Sequence, residues 1–337
     1  MKVIVDNKIP YIKDIIEQLA DEVIYLPGQD IVAETVKDAD ALIIRTRTRC
    51  DRALLEGSRV KFIGTATIGF DHIDTMYCKK AGIAWTNCPG CNAGAVEQYL
   101  HSVLLLLQKE KNVSLKNACI GIVGVGHVGE RVKRLCESLG MHVMLNDPPR
   151  SDCGEKGFND LQKLAENCEI ITFHVPLTRD GLYKTYHLGD RGFFSRLQKR
   201  PYIINTSRGE VLDTQAILSA LDGNQISGAV IDVWENEPNI SLELLHKVFI
   251  GTPHIAGYSV EGKMNATRMV IEAYCRFFKK NVGFEMPSLG KSCAGTNENE
   301  EILQLQLYDP RNDYDALLAN PAAFERLREN YSFRREK

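Results

Sequence analysis

Apolar residues along this chain fall into short β-branched runs separated by stretches of helical period, and that alternation repeats from the first residues to about position 250. "KVIVD" (2–6) reads as a strand and "YIKDIIEQLA" (11–20) as an amphipathic helix. "ALIIR" (41–45), "KFIGTAT" (61–67) and "GIAWTN" (82–87) read as later strands, and a long apolar helix runs from about Gly94 to Gln108. At "ACIGIVGVGHVGERVKRLCESLGMHVMLND" the pattern restarts. A strand at 118–123, a glycine turn, a helix to about Leu139 and a strand at 142–147 make one βαβ unit. "EIITFHVPL", "RPYIINTS", "GAVIDVW" and "VFIG" give further strands. A helical stretch from about Val260 to Lys279 precedes a polar break, "SCAGTNENEE" (292–301). Beyond it "ILQLQL" alternates like a strand and the remainder is helical in period.

Strands that alternate with helices predict parallel sheets joined by right-handed crossovers, the α/β class. A chain of 337 residues exceeds what one core usually serves, so two lobes are expected. Composition narrows the class further. Lys+Arg 41 against Asp+Glu 44 gives net −3, without the basic excess that nucleic-acid binding requires. The run "VLLLL" is too short to span a bilayer, and Asp6 interrupts the first apolar run too early for a secretory signal. The expectation is a cytoplasmic protein with no membrane and no nucleic-acid partner. Ten cysteines scattered through strand and helix patterns read as reduced, buried thiols. "CPGC" has redox spacing at Cys88 and Cys91; the simpler reading is a tight Pro–Gly turn. No second C-x-x-C completes a metal site, so none is expected.

Gly124-Val125-Gly126-His127-Val128-Gly129 is a G-x-G-x-x-G in its full context: a β-branched run before it, a helical pattern after it, and Asp147 at the end of the next strand. The glycines let backbone approach a pyrophosphate, while the helix N-terminus supplies N–H groups and a positive dipole end. A carboxylate at Asp147 suits the ribose hydroxyls and repels a 2′-phosphate, so NAD is predicted over NADP, although Arg150 lies near.

Ligands of doubly wound sheets sit outside the carboxyl ends of the strands. Three successive strand ends offer Arg208, then Asp232 and Glu237, then His254. An imidazole can take the proton of a hydroxyl while hydride leaves the same carbon, and Glu237 can fix its tautomer. Arginine pairs bidentately with a carboxylate and polarises the adjacent carbonyl. As a set these residues predict hydroxy-acid oxidation, with His254 as acid/base.

At these motifs the chain resembles the D-2-hydroxyacid dehydrogenases. "TATIGFDHID", "PGCNAGAVEQY", "GIVGVGHVG", "NDPPR", "DVWENEP" and "HIAGYSVEGK" bring it close to the branch that acts on 4-phosphoerythronate. The resemblance implies a Rossmann-type doubly wound NAD domain at 94–255. It also implies a flavodoxin-like α/β substrate lobe at 1–93 completed by 256–281, and a small α+β appendage of dimerisation type at 288–337. It implies oxidation of 4-phospho-D-erythronate to 2-oxo-3-hydroxy-4-phosphobutanoate in pyridoxal 5′-phosphate (vitamin B6) biosynthesis, by a homodimer somewhat shorter than the usual member. His254, Arg208 and Glu237 would be catalytic. Gly124, Gly126, His127, Val128, Gly129, Asp147, Val175, Thr206, Ser207, Asp232 and Gly257 would hold NAD; Thr46, Thr67 and Tyr258 would touch substrate. Val175 departs from the usual threonine, which leaves a backbone contact only. Arg45, first of the three arginines in "RTRTR", suits the 4-phosphate on its own chemistry.

Rival readings are a 3-phosphoglycerate or hydroxypyruvate dehydrogenase, an NAD-binding transcriptional co-repressor on the same fold, and a redox sensor built on Cys88 and Cys91. The arginine loop and the branch-specific motifs weigh against the co-repressor.

Overall fold

The computed structural model describes residues 1–281, 283–286 and 300–336, with side chains from 303 in the last stretch. The chain divides into two compact units: Met1–Asn92 with the segment that begins at Ser259, and Ala93–Tyr258 with the C-terminal helices. The polar break lies mostly outside the described residues.

The first unit holds a five-stranded sheet of β1 (Lys2–Asp6), β2 (Glu22–Leu26), β3 (Ala41–Ile44), β4 (Phe62–Thr65) and β5 (Ala84–Thr86), ordered β2-β1-β3-β4-β5. Every pairing is parallel, and this is the flavodoxin-like order. The period of two divides the strand residues between two cores. Val3, Val5, Ala41, Ile43 and Phe62 face one, while Ile4, Leu42, Ile44 and Ile63 face the other. Burial on both faces explains why these strands are apolar throughout.

The second unit holds β6 (Cys119–Val123), β7 (His142–Asn146), β8 (Ile170–Phe173), β9 (Tyr202–Asn205), β10 (Gly228–Ile231) and β11 (Ile250–Gly251), ordered β11-β10-β9-β8-β6-β7 and again all parallel. Ile120, Ile122, Ile170, Ile204 and Val230 enter one core; Val123, Ile171, Phe173, Ile203 and Ile231 enter the other. Strand order reverses between β6 and β8, which puts the crevice beyond the glycine turn that follows β6.

Three expectations are corrected. The helix predicted over 11–20 is one turn, Lys13–Ile16, because that turn already buries Ile12, Ile15 and Ile16; the chain then enters β2, a strand the pattern did not predict. β2 begins with Glu22, is partly exposed along its length and lies at a sheet edge, so its alternation is weak. "ILQLQL" is not a strand but part of the helix Glu300–Leu307. Gln304 of this helix and Tyr308 just beyond its end are buried, and Gln304 Nε2 donates to Ser102 Oγ at 3.0 Å and to the Gln98 carbonyl. The appendage is thus helical among its described residues rather than α+β, continuing through Pro310–Ala319 and Phe324–Glu329. Leu317 and Phe324 are fully buried in a core of the second unit, and the Tyr314 hydroxyl donates to the carbonyls of Leu245 and Val248. Among the described residues no helix is long and apolar enough to cross a membrane.

Candidate active site

Each strand of the second sheet delivers a loop at its carboxyl end, and successive loops touch. After β6, Gly124 takes φ +87°, and an added Cβ would meet the His174 backbone at 2.8 Å. Gly129 passes so close to the turn that its Cβ would lie 2.2 Å from the Gly124 carbonyl oxygen. Gly126 differs: an added Cβ would meet nothing within 4 Å. Gly126 and His127 are exposed and Val128 half-buried, so the first turn of the helix His127–Ser138 opens to the outside. One glycine shapes the turn, one seats the helix and one leaves room in front of free N–H groups. That cradle fits a dinucleotide pyrophosphate.

Asp147, just past β7, braces the cradle. Oδ2 accepts the Val125 N–H at 2.8 Å and Oδ1 accepts the Arg150 N–H at 3.2 Å. The residue is half-buried, which leaves lone pairs for ribose hydroxyls. Arg150 does not wait for a 2′-phosphate. Its guanidinium donates to Glu130 (2.8 Å), Glu155 (2.6 Å) and the Val125 carbonyl. Hydrogen bonds to Glu155 and then to Glu130 push its pKa further up.

After β8 stands His174, half-buried, with Nε2 3.0 Å from Thr172 Oγ1 and Nδ1 3.2 Å from Thr206 Oγ1. Burial pushes it down to about 3, so the ring is neutral. It ties Thr206, on the loop after β9, to Val175, which packs against Gly124. That next loop is locked by Asn205: Oδ1 accepts the Ser207 N–H and Oγ–H, while Nδ2 donates to the Arg208 carbonyl at 2.9 Å. Arg208 is half-buried, and Gly209 lies so close to the Trp234 carbonyl that a Cβ would sit 2.0 Å from it.

Trp234 N–H in turn donates to Glu237 Oε1 at 2.9 Å. Glu237 Oε2 meets His254 Nδ1 at 2.7 Å. Burial works to raise the Glu237 pKa, but the His254 charge and hydrogen bond, Arg328 and the Trp234 N–H outweigh it, and the carboxyl is held below its usual range. Asp232 is set the other way. It is 1 % exposed, and burial pushes its pKa up against the pull of His254, Thr252 and the Ile255 and Ala256 amides. Its oxygens are spent on Thr252 Oγ1 (2.6 Å), Ile255 N–H (2.8 Å) and Ala256 N–H (3.1 Å). Through these bonds Asp232 clamps the His254 loop. His254 adopts φ +58°, unusual for a side chain other than glycine, with its N–H donating to the Asp232 and Thr252 carbonyls. Tyr258 closes this loop against the rings of Tyr331 and Phe333.

An ionised Glu237 accepts from Nδ1–H, which leaves Nε2 as the basic nitrogen of His254. That atom can take a hydroxyl proton, and the carboxylate then stabilises the imidazolium. The guanidinium of Arg208 is the kind of planar donor fork that can pair with a carboxylate. The glycine turn and Asp147 are the residues that would hold NAD, which when bound would supply the hydride acceptor.

The first unit carries its own polar edge. Arg45, past β3, pairs with the fully buried Asp6 of β1 through Nε (3.1 Å) and Nη2 (3.3 Å). Thr67 Oγ1 lies 2.7 Å from Thr65 Oγ1, itself 3.0 Å from His72 Nε2, and Thr46 is exposed. Cys88 and Cys91 are buried in an apolar core, and burial pushes the Cys88 thiol far up, against a redox role. His174 stood within the strand pattern "EIITFHVPL" with no role assigned from sequence, whereas Arg328 carried no local signal.

A doubly wound sheet with a glycine turn at its switch point and a carboxylate–imidazole–arginine set along the same edge defines a hydroxy-acid dehydrogenase. The family model for the D-isomer specific 2-hydroxyacid dehydrogenase, NAD binding domain, matches residues 98–256. An erythronate-4-phosphate dehydrogenase of Bacteroides fragilis is 59% identical over 339 residues, covering 100% of this chain and 97% of that protein. One from Escherichia coli O157:H7 is 43% identical over 350 residues, covering 100% and 92%. The expected shortening is therefore small. The crystal structure of NAD+-bound 3-phosphoglycerate dehydrogenase of Entamoeba histolytica superposes with a TM-score of 0.71 at 27% identity, covering 86% of this chain and 99% of that one. The chain belongs to the erythronate-4-phosphate dehydrogenase family of NAD-dependent D-2-hydroxyacid dehydrogenases.

Proposed function

We propose that this enzyme oxidises the C2 hydroxyl of 4-phospho-D-erythronate with NAD, giving 2-oxo-3-hydroxy-4-phosphobutanoate for pyridoxal 5′-phosphate synthesis. The observation that carries the reading is the 2.7 Å contact between Glu237 and His254, on loops that adjoin the Arg208 loop at one sheet edge. His254 Nε2 takes the hydroxyl proton, Glu237 holds the imidazolium, and Arg208 binds the C1 carboxylate. Gly124, Gly126, His127, Val128, Gly129, Asp147, Val175, Thr206, Ser207 and Gly257 line the cofactor, with Asp232 acting through the loop it clamps. Arg45, Thr46, Thr67 and Tyr258 are assigned to the substrate, which makes the unit that begins at Met1 the substrate lobe. The functional form is a cytoplasmic homodimer, with the C-terminal region at the dimer contact.

The test is single-turnover NADH absorbance with 4-phosphoerythronate and a 2-oxo acid acceptor, alongside His254→Ala. Rapid reduction that the variant loses supports substrate and role together. Turnover of 3-phosphoglycerate but not 4-phosphoerythronate would keep the chemistry and reject the substrate.

A further inference from the structure

The C-terminal segment reaches the catalytic loops through a residue that the reaction as described does not use. Arg328 lies in the helix Phe324–Glu329, whose Phe324 is fully buried in a core of the same unit as the site. Its side chain is 20% exposed, with Nη1 3.7 Å from Glu237 Oε2, the oxygen that meets His254 Nδ1. It also hydrogen-bonds the Tyr258 side chain and feels the charge of Glu325. Its Nε is buried with no hydrogen-bond partner. A merely structural position would be better filled by an apolar side chain of that volume, since a half-satisfied guanidinium is costly to bury. Keeping an arginine here makes sense if its charge acts on what it faces.

We propose that Arg328 is a positioning residue for the reaction: from the C-terminal helix it holds Glu237 Oε2 in line with His254 Nδ1. Glu237 is then gripped from three sides, by the Trp234 N–H on Oε1 and by His254 and Arg328 on Oε2. Arg334 secures the rest of the loop from the same segment. It donates from Nη1 to the Ile255 carbonyl and from Nη2 to the Ala256 carbonyl, at 3.1 and 2.5 Å. The region that sequence resemblance assigns to dimer formation therefore also builds the active site of its own chain.

This inference rests on the acid/base reading of His254 and Glu237, and the experiment separates the two. Steady-state kinetics are measured for the full-length wild type and for R328M, R328K, E237Q and the double variant E237Q/R328M. The expected result is a fall in kcat of roughly tenfold for R328M, with KM for NAD within about twofold and most of the loss recovered in R328K. In the E237Q background R328M should add less than about twofold, because the group it positions is already disabled. A full independent loss in that background, or an R328K as poor as R328M, overturns the proposal. Should R328M fail to fold, R328Q takes its place under the same criteria. If E237Q itself leaves turnover intact, the reading of the dyad has failed rather than this inference alone.

Discussion

The two sheets are built alike, parallel and apolar on both faces, yet their carboxyl edges differ in what is left available. In the first unit the charged groups at the switch point answer each other: Arg45 forks onto Asp6 between β3 and β1. In the second, the backbone N–H groups of the helix at Gly126 are open, and the one acid/base candidate is held by a carboxylate that leaves its other nitrogen basic. The same architecture thus presents a neutralised pair in one place and poised chemistry in the other. Architecture sets where a site can be; loop composition sets whether a group is spent on the protein or offered to a ligand.

The largest effect that sharpens this contrast is expected at His254. His254→Ala should lower kcat by about 10³-fold, within the range of general acid/base contributions, while NAD affinity measured by fluorescence titration stays within a few-fold. Equal loss of NAD binding would make the residue structural. Next comes Gly129→Val, whose branched side chain must displace the Gly124 carbonyl that an added Cβ would approach to 2.2 Å. Overpacking of that kind costs about 2–3 kcal/mol or more and spoils the cradle. NAD affinity should drop at least tenfold and the melting temperature should fall; retained affinity would mean the helix can retreat. In the first unit, Arg45→Met leaves Asp6 buried without its cation, and breaking such a pair costs about 3 kcal/mol. Thermal unfolding checks it, and the KM for the phosphorylated substrate shows whether Arg45 also serves the ligand. An unchanged KM would confine Arg45 to the ion pair.

The glycine turn was legible because its demands are local: three positions within six residues, each with a backbone reason. The meeting of His254 with Glu237 was legible one step further out, because strand order places their loops side by side. Legibility stopped where a contact depends on a distant segment without a motif. Arg328 reaches Glu237 from a helix whose sequence reads only as amphipathic. "ILQLQL" misled because its period of two is that of a strand, whereas it lies in a helix that encloses Gln304, whose Nε2 donates to Ser102. The bracing of the His254 loop by Asp232 was likewise not legible, because its donors are backbone amides more than twenty positions along the chain.

A smaller effect should appear in the pH dependence of stability. Loss of solvent around the half-buried His174 ring pushes its pKa in the folded protein down to about 3 from the usual 6.5. A depressed histidine binds fewer protons folded than unfolded at every pH between those values. Stability is therefore full above about 6.5 and declines as pH falls toward 3. At pH 5 the loss is about 2 kcal/mol by linkage. His174→Gln should flatten the melting temperature between pH 7 and 5. The depressed Glu237 also stabilises above its unfolded value and acts lower, below the ordinary glutamate range, so it does not mask this window. An unchanged slope in the variant would assign the acid sensitivity elsewhere.

The smallest effect returns to the first unit and to the one motif there with redox spacing. Cys88 is fully buried, its Sγ 3.4 Å from the Thr65 carbonyl oxygen and 3.2 Å from that of Ala266, and burial pushes its thiol far above neutral titration. A thiolate is the species that forms disulfides or attacks alkylating agents, so this sulfur should behave as a small apolar filler with a weak donor. Cys88→Ser offers a hydroxyl to the same two carbonyls in slightly less volume. Stability should change by less than about 1.5 kcal/mol, and turnover should match the wild type in both reducing and mildly oxidising buffer. Oxidation that slows the wild type and spares the serine variant would return a redox function to "CPGC". It would also place reactive sulfur chemistry in the unit whose edge carries the Arg45–Asp6 pair.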